Sequence, residues 1–314
     1  MLDAEGTIMK SHFIPRRTVL AGAVAGAIGL TAPFARGQQS GASWLRGKTA
    51  LVTGSTDGLG REVATRLGAL GATVIVHGRN EERGAEVVDT IEGAGGKAVF
   101  YRADLGSLAD VRALARRVAA EHASLSLLVN NAGIWMEQGN NERRTSADGH
   151  ELVFAVNYLA PYLLTRSLLP LLEKGAPARI VNVSSIAQSP VNFDDIMLTR
   201  NYNASTAYAQ SKLALLMLTL DLAAELPADK ITANALHPAT LMDTAMVEKA
   251  GMPARATVAD GADAVMQLAA SSELAGETGL YYNEMNQARA NAQAYDAAAR
   301  ARLRTLSEEL TGLG

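Results

Sequence analysis

Tyr208 and Lys212 stand four residues apart in the segment Tyr-Ala-Gln-Ser-Lys. On a helix, residues at that spacing share one face, so the phenol and the ammonium lie side by side. A free tyrosine titrates near ~10, and a fixed positive charge beside it favours the phenolate and lowers that pKa. The pair therefore predicts a general acid or base that exchanges a proton with an oxygen atom. A solvated helix face with no function is the alternative.

A glycine-rich turn lies upstream, between a short apolar run at residues 50–52 and a helix-like pattern. Gly54 permits a tight turn, Gly58 lets the backbone approach a pyrophosphate, and Gly60 lets the next helix pack closely on the strand. The N-terminus of that helix then faces the anion. We expect a dinucleotide site here, with an ordinary turn as the alternative. The motif is not a P-loop, because no Gly-Lys-Ser/Thr ends it.

Polar side chains also follow two later apolar runs. Asn130 and Asn131 follow the first run, and Ser184 and Ser185 follow the second. The carboxyl ends of parallel strands form the ligand crevice of an open α/β sheet. These side chains are therefore candidates for the site, unless they only form turns.

Taken in order, these motifs resemble the short-chain dehydrogenase/reductase family from about residue 47 to the end of the chain. Asp104, the Asn-Asn-Ala-Gly segment at 130–133 and Asn157 extend the match. The resemblance implies a single α/β domain with a doubly wound, Rossmann-like parallel sheet. The alternation of strand-like and helix-like patterns along the chain favours the same class. The glycine spacing is that of the dehydrogenases and not of the sugar-nucleotide epimerases.

The resemblance implies hydride transfer between a nicotinamide dinucleotide and an alcohol or carbonyl carbon. Tyr208 would exchange the proton, Ser185 would hydrogen-bond the carbonyl oxygen, and Lys212 would bind the nicotinamide ribose and lower the pKa of the phenol. Asn157 would hold a water in the proton relay, unless it is a satisfied helix-interior amide. The implied cofactor contacts are Gly54, Ser55, Thr56, Gly58, Leu59, Gly60, Arg79, Asp104, Leu105, Asn131, Ala132, Gly133, Tyr208, Lys212 and Pro238.

The choice between NAD and NADP depends on the end of the second strand. Gly78 stands where NAD-dependent members of the family carry an acid for the ribose 2′-hydroxyl, and Arg79 follows it. A guanidinium suits a 2′-phosphate. We therefore expect NADP, with NAD as the alternative. Two departures from the family pattern are Asp57, where many NADP-dependent members have Lys or Arg, and Pro238-Ala239 in place of Pro-Gly.

The segment between Ser185 and Tyr208 is longer than in most of the family and is similar to that of retinol-dehydrogenase-like members. This insert contains Phe193, Asp194, Asp195 and Tyr202. Soft apolar side chains elsewhere predict a bulky apolar alcohol or ketone as the substrate, unless they belong to the core. These side chains are Trp135, Met136, Met242, Met246 and Met252.

Composition agrees with one enzyme domain. The 314 residues, 48% of them hydrophobic, suffice for a single large α/β core. A net charge of -3 and the lack of long basic runs disfavour nucleic acid or an anionic membrane surface as a partner. There are no cysteines, and the five histidines lack ligand spacing, so no metal site is expected. The family resemblance implies a homodimer or homotetramer.

The N-terminal region differs from the rest of the chain. Arg16 and Arg17 precede an uncharged stretch, rich in Ala and Gly, that ends at Ala35. This pattern is similar to a twin-arginine export signal. Its three Gly, one Pro and two Thr make it a weak membrane span beside the usual ~20 apolar residues. We expect a periplasmic or exported enzyme, with a disordered extension on a cytoplasmic enzyme as the alternative.

The small residues Ala35 and Gly37 have the spacing that a signal peptidase reads, so the mature chain is expected to begin near Gln38. The resulting domain prediction is an export signal at 1–37, a short linker at 38–46 and the dehydrogenase domain at 47–314.

Two further functions on the same fold remain open from the sequence. One is a catalytically silent NADP-binding sensor, and the other is an exported binding or scaffold protein. The complete set of Ser185, Tyr208 and Lys212 disfavours both.

Overall fold

The computed structural model describes residues 44–135 and 142–313. The predicted export signal and Met136 lie outside the described residues. The strands are β1 Thr49–Val52, β2 Thr73–Gly78, β3 Lys97–Arg102, β4 Leu127–Asn130, β5 Ala178–Val183, β6 Ile231–His237, β7 Tyr281–Asn283 and β8 Asn286–Ala288. The helices are α1 Gly58–Ala69, α2 Glu81–Gly93, α3 Leu108–Glu121, α4 Leu152–Phe154, α5 Ala160–Lys174, α6 Ala204–Glu225, α7 Ala245–Lys249, α8 Val258–Ala270 and α9 Ala297–Thr311.

Within the described residues, the strands form one eight-stranded sheet in the order β3-β2-β1-β4-β5-β6-β7-β8. All neighbouring pairs are parallel except β7 and β8, which are antiparallel. The strand order reverses direction between β1 and β4, where a doubly wound sheet opens its ligand crevice. The prediction of a single Rossmann-like α/β domain is confirmed.

The two faces of the sheet bury separate cores. Leu51 and Ile75 point into the core beneath α3, α5 and α6. Ala50, Val52 and Val74 point into the core beneath α1, α2 and α8. Successive strand residues face opposite sides, so a sheet covered on both faces needs continuous apolar runs. The runs in this sequence therefore required helices on both sides.

Polar side chains fix where the helices begin. An N-cap side chain accepts a hydrogen bond from a backbone N–H that has no partner within the helix. At α8, Thr257 and Asp260 form a reciprocal capping box. The caps of α1, α2, α3 and α6 are Asp57, Asn80, Ser107 and Asn203.

A continuous apolar rod is made of α4, a π-helical turn at Ala155–Leu159 and α5. By length and composition this rod could cross a membrane. However, 78% of its most apolar window is buried inside the protein. The rod is a core helix. Its π turn contains Asn157, and π turns within helices are frequent at functional sites.

Two residues of the predicted linker at 38–46, Trp44 and Leu45, pack against the domain. Leu45 is fully buried, and the Trp44 indole donates a hydrogen bond to the Ala270 carbonyl at 3.1 Å. The Arg179 guanidinium lies 4.8 Å from the centre of the Trp44 ring. These partners are distant in sequence, which is why no local pattern indicated them.

The C-terminal tail forms a short strand followed by a helix. Its first residues pair with β7 as the antiparallel strand β8, and α9 begins only after the N-cap Asp296. The buried positions of α9 are Leu303, Ser307 and Thr311. The two hydroxyls can be buried because each donates to a carbonyl four residues earlier, and Ser307 also bonds the Tyr158 hydroxyl at 2.7 Å.

Two glycines at helix ends, one crowded and one open, test how closely the backbone packs. Gly175 follows α5, and a Cβ there would lie 2.0 Å from the Leu125 carbonyl oxygen. Since backbone cannot move aside cheaply, Gly175→Ala should lower the free energy of unfolding by about 1–3 kcal/mol. Gly93 ends α2 and has no atom within 4 Å of such a Cβ. Gly93→Ala should therefore raise stability by up to about 1 kcal/mol. Urea unfolding measures both, and changes of the same sign would contradict the packing.

Candidate active site

Two hydrogen bonds attach the N-terminal half of α6 to the end of β5. The Lys212 ammonium donates to the Val183 carbonyl at 2.8 Å, and the Ser184 hydroxyl donates to the Lys212 carbonyl at 2.8 Å. All three residues are buried. The helix is thereby held against the strand end in one position, which brings Ser185 to Tyr208.

Ser185 is the serine of the pair that faces the phenol. Its side chain lies beside the Tyr208 phenol, where it acts to lower the pKa of that group, and accepts from the Ala187 N–H at 3.1 Å. Its carbonyl accepts from the Tyr281 hydroxyl at 3.0 Å. The Ser184 hydroxyl, in contrast, donates its hydrogen to the Lys212 carbonyl of α6. This geometry favours Ser185 over Ser184 as the side chain available to a substrate oxygen.

The electrostatics of Tyr208 differ from the expectation. The Lys212 nitrogen lies 5.7 Å from the centre of the Tyr208 ring. Burial nevertheless raises the pKa of Tyr208, and the neighbouring Ser185 side chain offsets this only in part. Burial also lowers the pKa of Lys212 from 10.5 to about 8. In this structure burial is thus the main influence on the phenol pKa, and a lowering of that pKa by Lys212 stays a prediction.

The Asn157 side chain is engaged within the protein. Its Oδ1 accepts from the Ile134 N–H at 2.8 Å. Its Nδ2 donates to the Ile134 carbonyl and to the Ser211 hydroxyl, both at 3.0 Å. Both amide hydrogens are thus used. The geometry matches the satisfied amide that the sequence left as an alternative, and it fixes the loop that follows β4.

The same loop approaches Lys212 closely. A Cβ at Gly133 would lie 3.2 Å from the Lys212 nitrogen and 3.3 Å from the Asn157 Oδ1. Only a residue without a side chain leaves these two groups undisturbed. The Asn-Asn-Ala-Gly segment, Lys212 and Asn157 therefore meet at one point.

The glycine turn forms a cradle that has no room for a Cβ at Gly54 or Gly60. Gly54 and Gly58 have φ angles of +63° and +49°, in the left-handed region that glycine favours. A Cβ at Gly60 would lie 2.2 Å from the Gly54 carbonyl oxygen, and one at Gly54 would lie 2.9 Å from the Ala132 Cα. A backbone surface at the start of α1 fits the pyrophosphate of a dinucleotide.

The turn is tied to the loop after β4 by Thr53 and Asn131. The Thr53 hydroxyl accepts from the N–H groups of Asn131 and Ala132, both at 3.0 Å. The Asn131 amide donates to the carbonyls of Thr53 and Gly54 at 2.9 and 3.2 Å. Asn131 thus supports the cradle with its side chain. Thr53 was not among the predicted site residues.

Ser55 and His77 support the turn from the other side. The Ser55 hydroxyl donates to the Val52 carbonyl at 2.7 Å and accepts from the His77 N–H at 2.9 Å. The His77 Nδ1 accepts from the Gly54 N–H at 3.1 Å. His77 was not among the predicted site residues. A histidine that ends an otherwise apolar strand beside the glycine turn was the available signal.

Two guanidinium groups follow β2, that of Arg79 directly after the strand and that of Arg83 in the first turn of α2. A Cβ at Gly78 would lie 2.5 Å from the Thr56 Cγ2, so an acidic side chain does not fit there. Arg79 is exposed and lies 3.9 Å from the Asp104 carboxylate. Asp57 pairs with Arg83 at 2.8 Å. The carboxylate of Asp57, which departs from the family pattern, is therefore neutralised by the Arg83 cation, which was not among the predicted site residues.

Apolar groups surround the outer side of Tyr208. The Trp135 ring centre lies 5.5 Å from the Tyr208 ring centre. Ile186, next to Ser185, is 56% exposed. The insert packs on the same side, where Leu198 joins Tyr208 in one apolar cluster.

Several of the remaining predicted residues are buried in the core or at strand ends. Met242 packs on the core beneath α8, with its sulfur where a Cβ of Gly261 would lie, so it fits the alternative of a core residue. The cofactor candidates Leu59, Leu105 and Pro238 are buried next to the cradle or at strand ends. Among residues 44–135 and 142–313, no three His, Asp or Glu side chains converge on a point that could hold a metal.

Known proteins are similar to this chain over most of its length. Residues 48–255 match the short chain dehydrogenase family. A polyprenol dehydrogenase from Danio rerio is 38% identical over 288 residues, which cover 85% of this chain and 87% of that protein. Retinol dehydrogenase 14 from Mus musculus is 33% identical over 328 residues, which cover 94% of this chain and 97% of that protein.

A solved structure is also similar. It is a short chain dehydrogenase from Escherichia coli CFT073 in complex with NADPH, with a TM-score of 0.63 and 28% sequence identity. The match covers 77% of this chain and 98% of that one.

The buried ammonium makes a testable difference to stability. Lys212→Met should raise the free energy of unfolding at pH 7 by about 1–2 kcal/mol, because the folded protein no longer buries a charge. Wild-type lysine is neutral above about pH 8 in the folded state but stays charged to 10.5 when unfolded. Wild-type stability from this group therefore rises between those values, and the advantage of the variant should shrink toward pH 10.

Urea unfolding at pH 7 and pH 10 measures this effect, with the exposed Lys174→Met as the matched control. A variant that is less stable than wild type at pH 7 would show that the bond to Val183 outweighs the cost of burial.

Proposed function

The chain belongs to the short-chain dehydrogenase family of oxidoreductases, and on that premise we propose that it interconverts an alcohol and a ketone or aldehyde with NADP(H), Tyr208 acting as general acid or base. One observation carries the proposal: Ser185 and Lys212 converge on the Tyr208 ring at the carboxyl end of β5. The cradle of Gly54 and Gly60 lies across the same crevice and fits a dinucleotide.

When bound, the dinucleotide supplies or accepts the hydride, and its oxidised ring carries a positive charge. Tyr208 donates a proton to the carbonyl oxygen during reduction and removes it from the alcohol during oxidation. The Ser185 hydroxyl holds that oxygen against the phenol. Lys212, with its ammonium fixed by Val183, provides donors for the nicotinamide ribose. Because Gly133 has no side chain, the space beside the Lys212 nitrogen stays open.

The proposed preference for NADP rests on charge at the end of β2. Arg79 and Arg83 offer guanidinium groups for a 2′-phosphate, and Gly78 has no room for the acid that would bind a 2′-hydroxyl. The similar structure from Escherichia coli is a complex with NADPH. The pairing of Asp57 with Arg83 neutralises the carboxylate that argued for NAD.

The proposed substrate is a bulky apolar alcohol or its carbonyl form. Trp135, Ile186 and the insert present apolar surface beside Tyr208. Burial of such surface favours an apolar ligand over a sugar or an acid. The relatives named polyprenol and retinol dehydrogenase support the same class.

We retain two proposals from the sequence that the described residues do not test. One is a homo-oligomeric enzyme. The other is export by the twin-arginine signal at 1–37, since a protein that keeps a dinucleotide through export needs a route for folded proteins.

The catalytic assignment predicts a selective loss. Tyr208→Phe keeps the ring and its packing but removes the proton donor, so turnover should fall by roughly 10²- to 10⁴-fold while NADPH binding persists. The assay is NADPH consumption with a panel of apolar ketones and aldehydes. Tyr162→Phe, which removes a phenol near α9, is the matched control and should keep full turnover. Near-wild-type turnover of Tyr208→Phe would sink the assignment.

The cofactor assignment predicts a change in preference. Arg79→Ala should weaken NADPH binding by about tenfold to a hundredfold through loss of a charge-assisted contact, and should leave NADH binding nearly unchanged. Calorimetric titration with both nucleotides measures this difference. The exposed Arg116→Ala on α3 is the control. Equal losses for NADPH and NADH would rule out a contact with the 2′-phosphate.

A further inference from the structure

His77 is a buried titratable residue that the catalytic proposal does not use. It is the second-last residue of β2 and is 2% exposed. Its backbone N–H donates to the Ser55 hydroxyl, and its carbonyl accepts from the Ser55 N–H at 2.8 Å. Its ring accepts from the Gly54 N–H at 3.1 Å. Three hydrogen bonds therefore tie one residue to the glycine turn.

The bond to Gly54 fixes the tautomer of the ring. A backbone N–H can only donate, so the His77 Nδ1 must carry no proton and the hydrogen must lie on Nε2. Burial lowers the pKa of His77 to about 4, which keeps the ring neutral at neutral pH. Nε2 lies toward the Ala103 carbonyl, but no atom of the described residues is at full hydrogen-bond distance from it.

The bond to Gly54 also matters because of the conformation of the turn. Gly54 has a positive φ and packs against the Ala132 backbone, so its N–H faces the protein interior and not the crevice. A buried N–H without an acceptor is costly, and a turn relieves that cost by rotating the peptide toward water. Such a rotation would displace the Thr53 carbonyl, which belongs to the same peptide and accepts from the Asn131 amide at 2.9 Å at the base of the turn.

We propose that His77 is a positioning residue for the dinucleotide: its neutral ring accepts the Gly54 N–H and thereby holds the glycine turn in the shape that receives the pyrophosphate. This inference rests on the proposed NADP(H)-binding function. His77 acts through Gly54 and has no contact with the reacting atoms.

The proposal predicts a loss of affinity that one substitution restores. His77→Leu removes the acceptor and should weaken NADP⁺ binding at pH 7.5 by about tenfold or more. His77→Asn places an amide oxygen near the position of Nδ1 and so restores the acceptor. Its NADP⁺ affinity should lie within about threefold of that of wild type. The measurement is calorimetric titration, with urea unfolding of each protein without nucleotide.

The matched control is Val76→Ala on the same strand. It should lower stability by creating a cavity, yet it leaves the turn its acceptor, so NADP⁺ affinity should stay near that of wild type. If Val76→Ala loses as much affinity as His77→Leu, or if His77→Leu binds like wild type, the inference is overturned. The same holds if His77→Asn binds as weakly as His77→Leu.

A spectroscopic test needs no variant and covers the case in which His77→Leu does not fold. In ¹⁵N spectra of wild type, His77 must show an unprotonated Nδ1 and a protonated Nε2, and the opposite tautomer overturns the inference. Failure of wild type to bind either NADP⁺ or NAD⁺ would overturn the proposed function together with the inference. Binding by wild type with unchanged binding by His77→Leu overturns the inference alone.

Discussion

The hydrogen bond from the Lys212 ammonium to the Val183 carbonyl connects the helix that carries Tyr208 to the centre of the sheet. With the Ser184 bond to the Lys212 carbonyl, it fixes both the height and the rotation of α6 against β5. The position of Tyr208 relative to Ser185 follows from these two contacts. Burial of this ammonium lowers the pKa of Lys212 and reduces stability, whereas the hydrogen bond to Val183 favours the charged form.

The other half of the site depends on side chains that support a backbone surface. The glycines of the turn bring no side chains to hold its shape, and a Cβ at Gly54 or Gly60 would collide with neighbouring backbone. The His77 ring accepts the Gly54 N–H, and the Asn131 amide donates to the Thr53 and Gly54 carbonyls. The Thr53 and Ser55 hydroxyls tie the turn to the loop after β4 and to β2. A preformed turn binds an anion without first losing conformational entropy, which favours affinity.

The insert before α6 connects the apolar surface beside Tyr208 to the core rod. Glu151 is buried at the start of α4, accepts from the N–H groups of Val153 and Phe154, and also accepts from the Tyr202 hydroxyl at 3.2 Å. Burial raises the pKa of this carboxyl group. Leu198 of the insert has a φ of +47°, an unusual value for a leucine, and is held by packing. Local strain is thus accepted where the insert covers the site.

The sequence by itself determined the order of strands and helices, the glycine turn and the Tyr208–Lys212 face, because periodicity, capping and the lack of a Cβ are local properties. It also indicated Arg79 at the end of β2. Only the tertiary structure decided the partners of Asn157, the direction of the pKa shift of Tyr208, and which residues outside the motifs support the site. Features of this kind are Trp44 and Leu45 in the domain, the antiparallel β8, Arg83 beside Asp57, and His77 beneath Gly54. They depend on which distant atoms meet and how deeply each group is buried, and chain folding sets both.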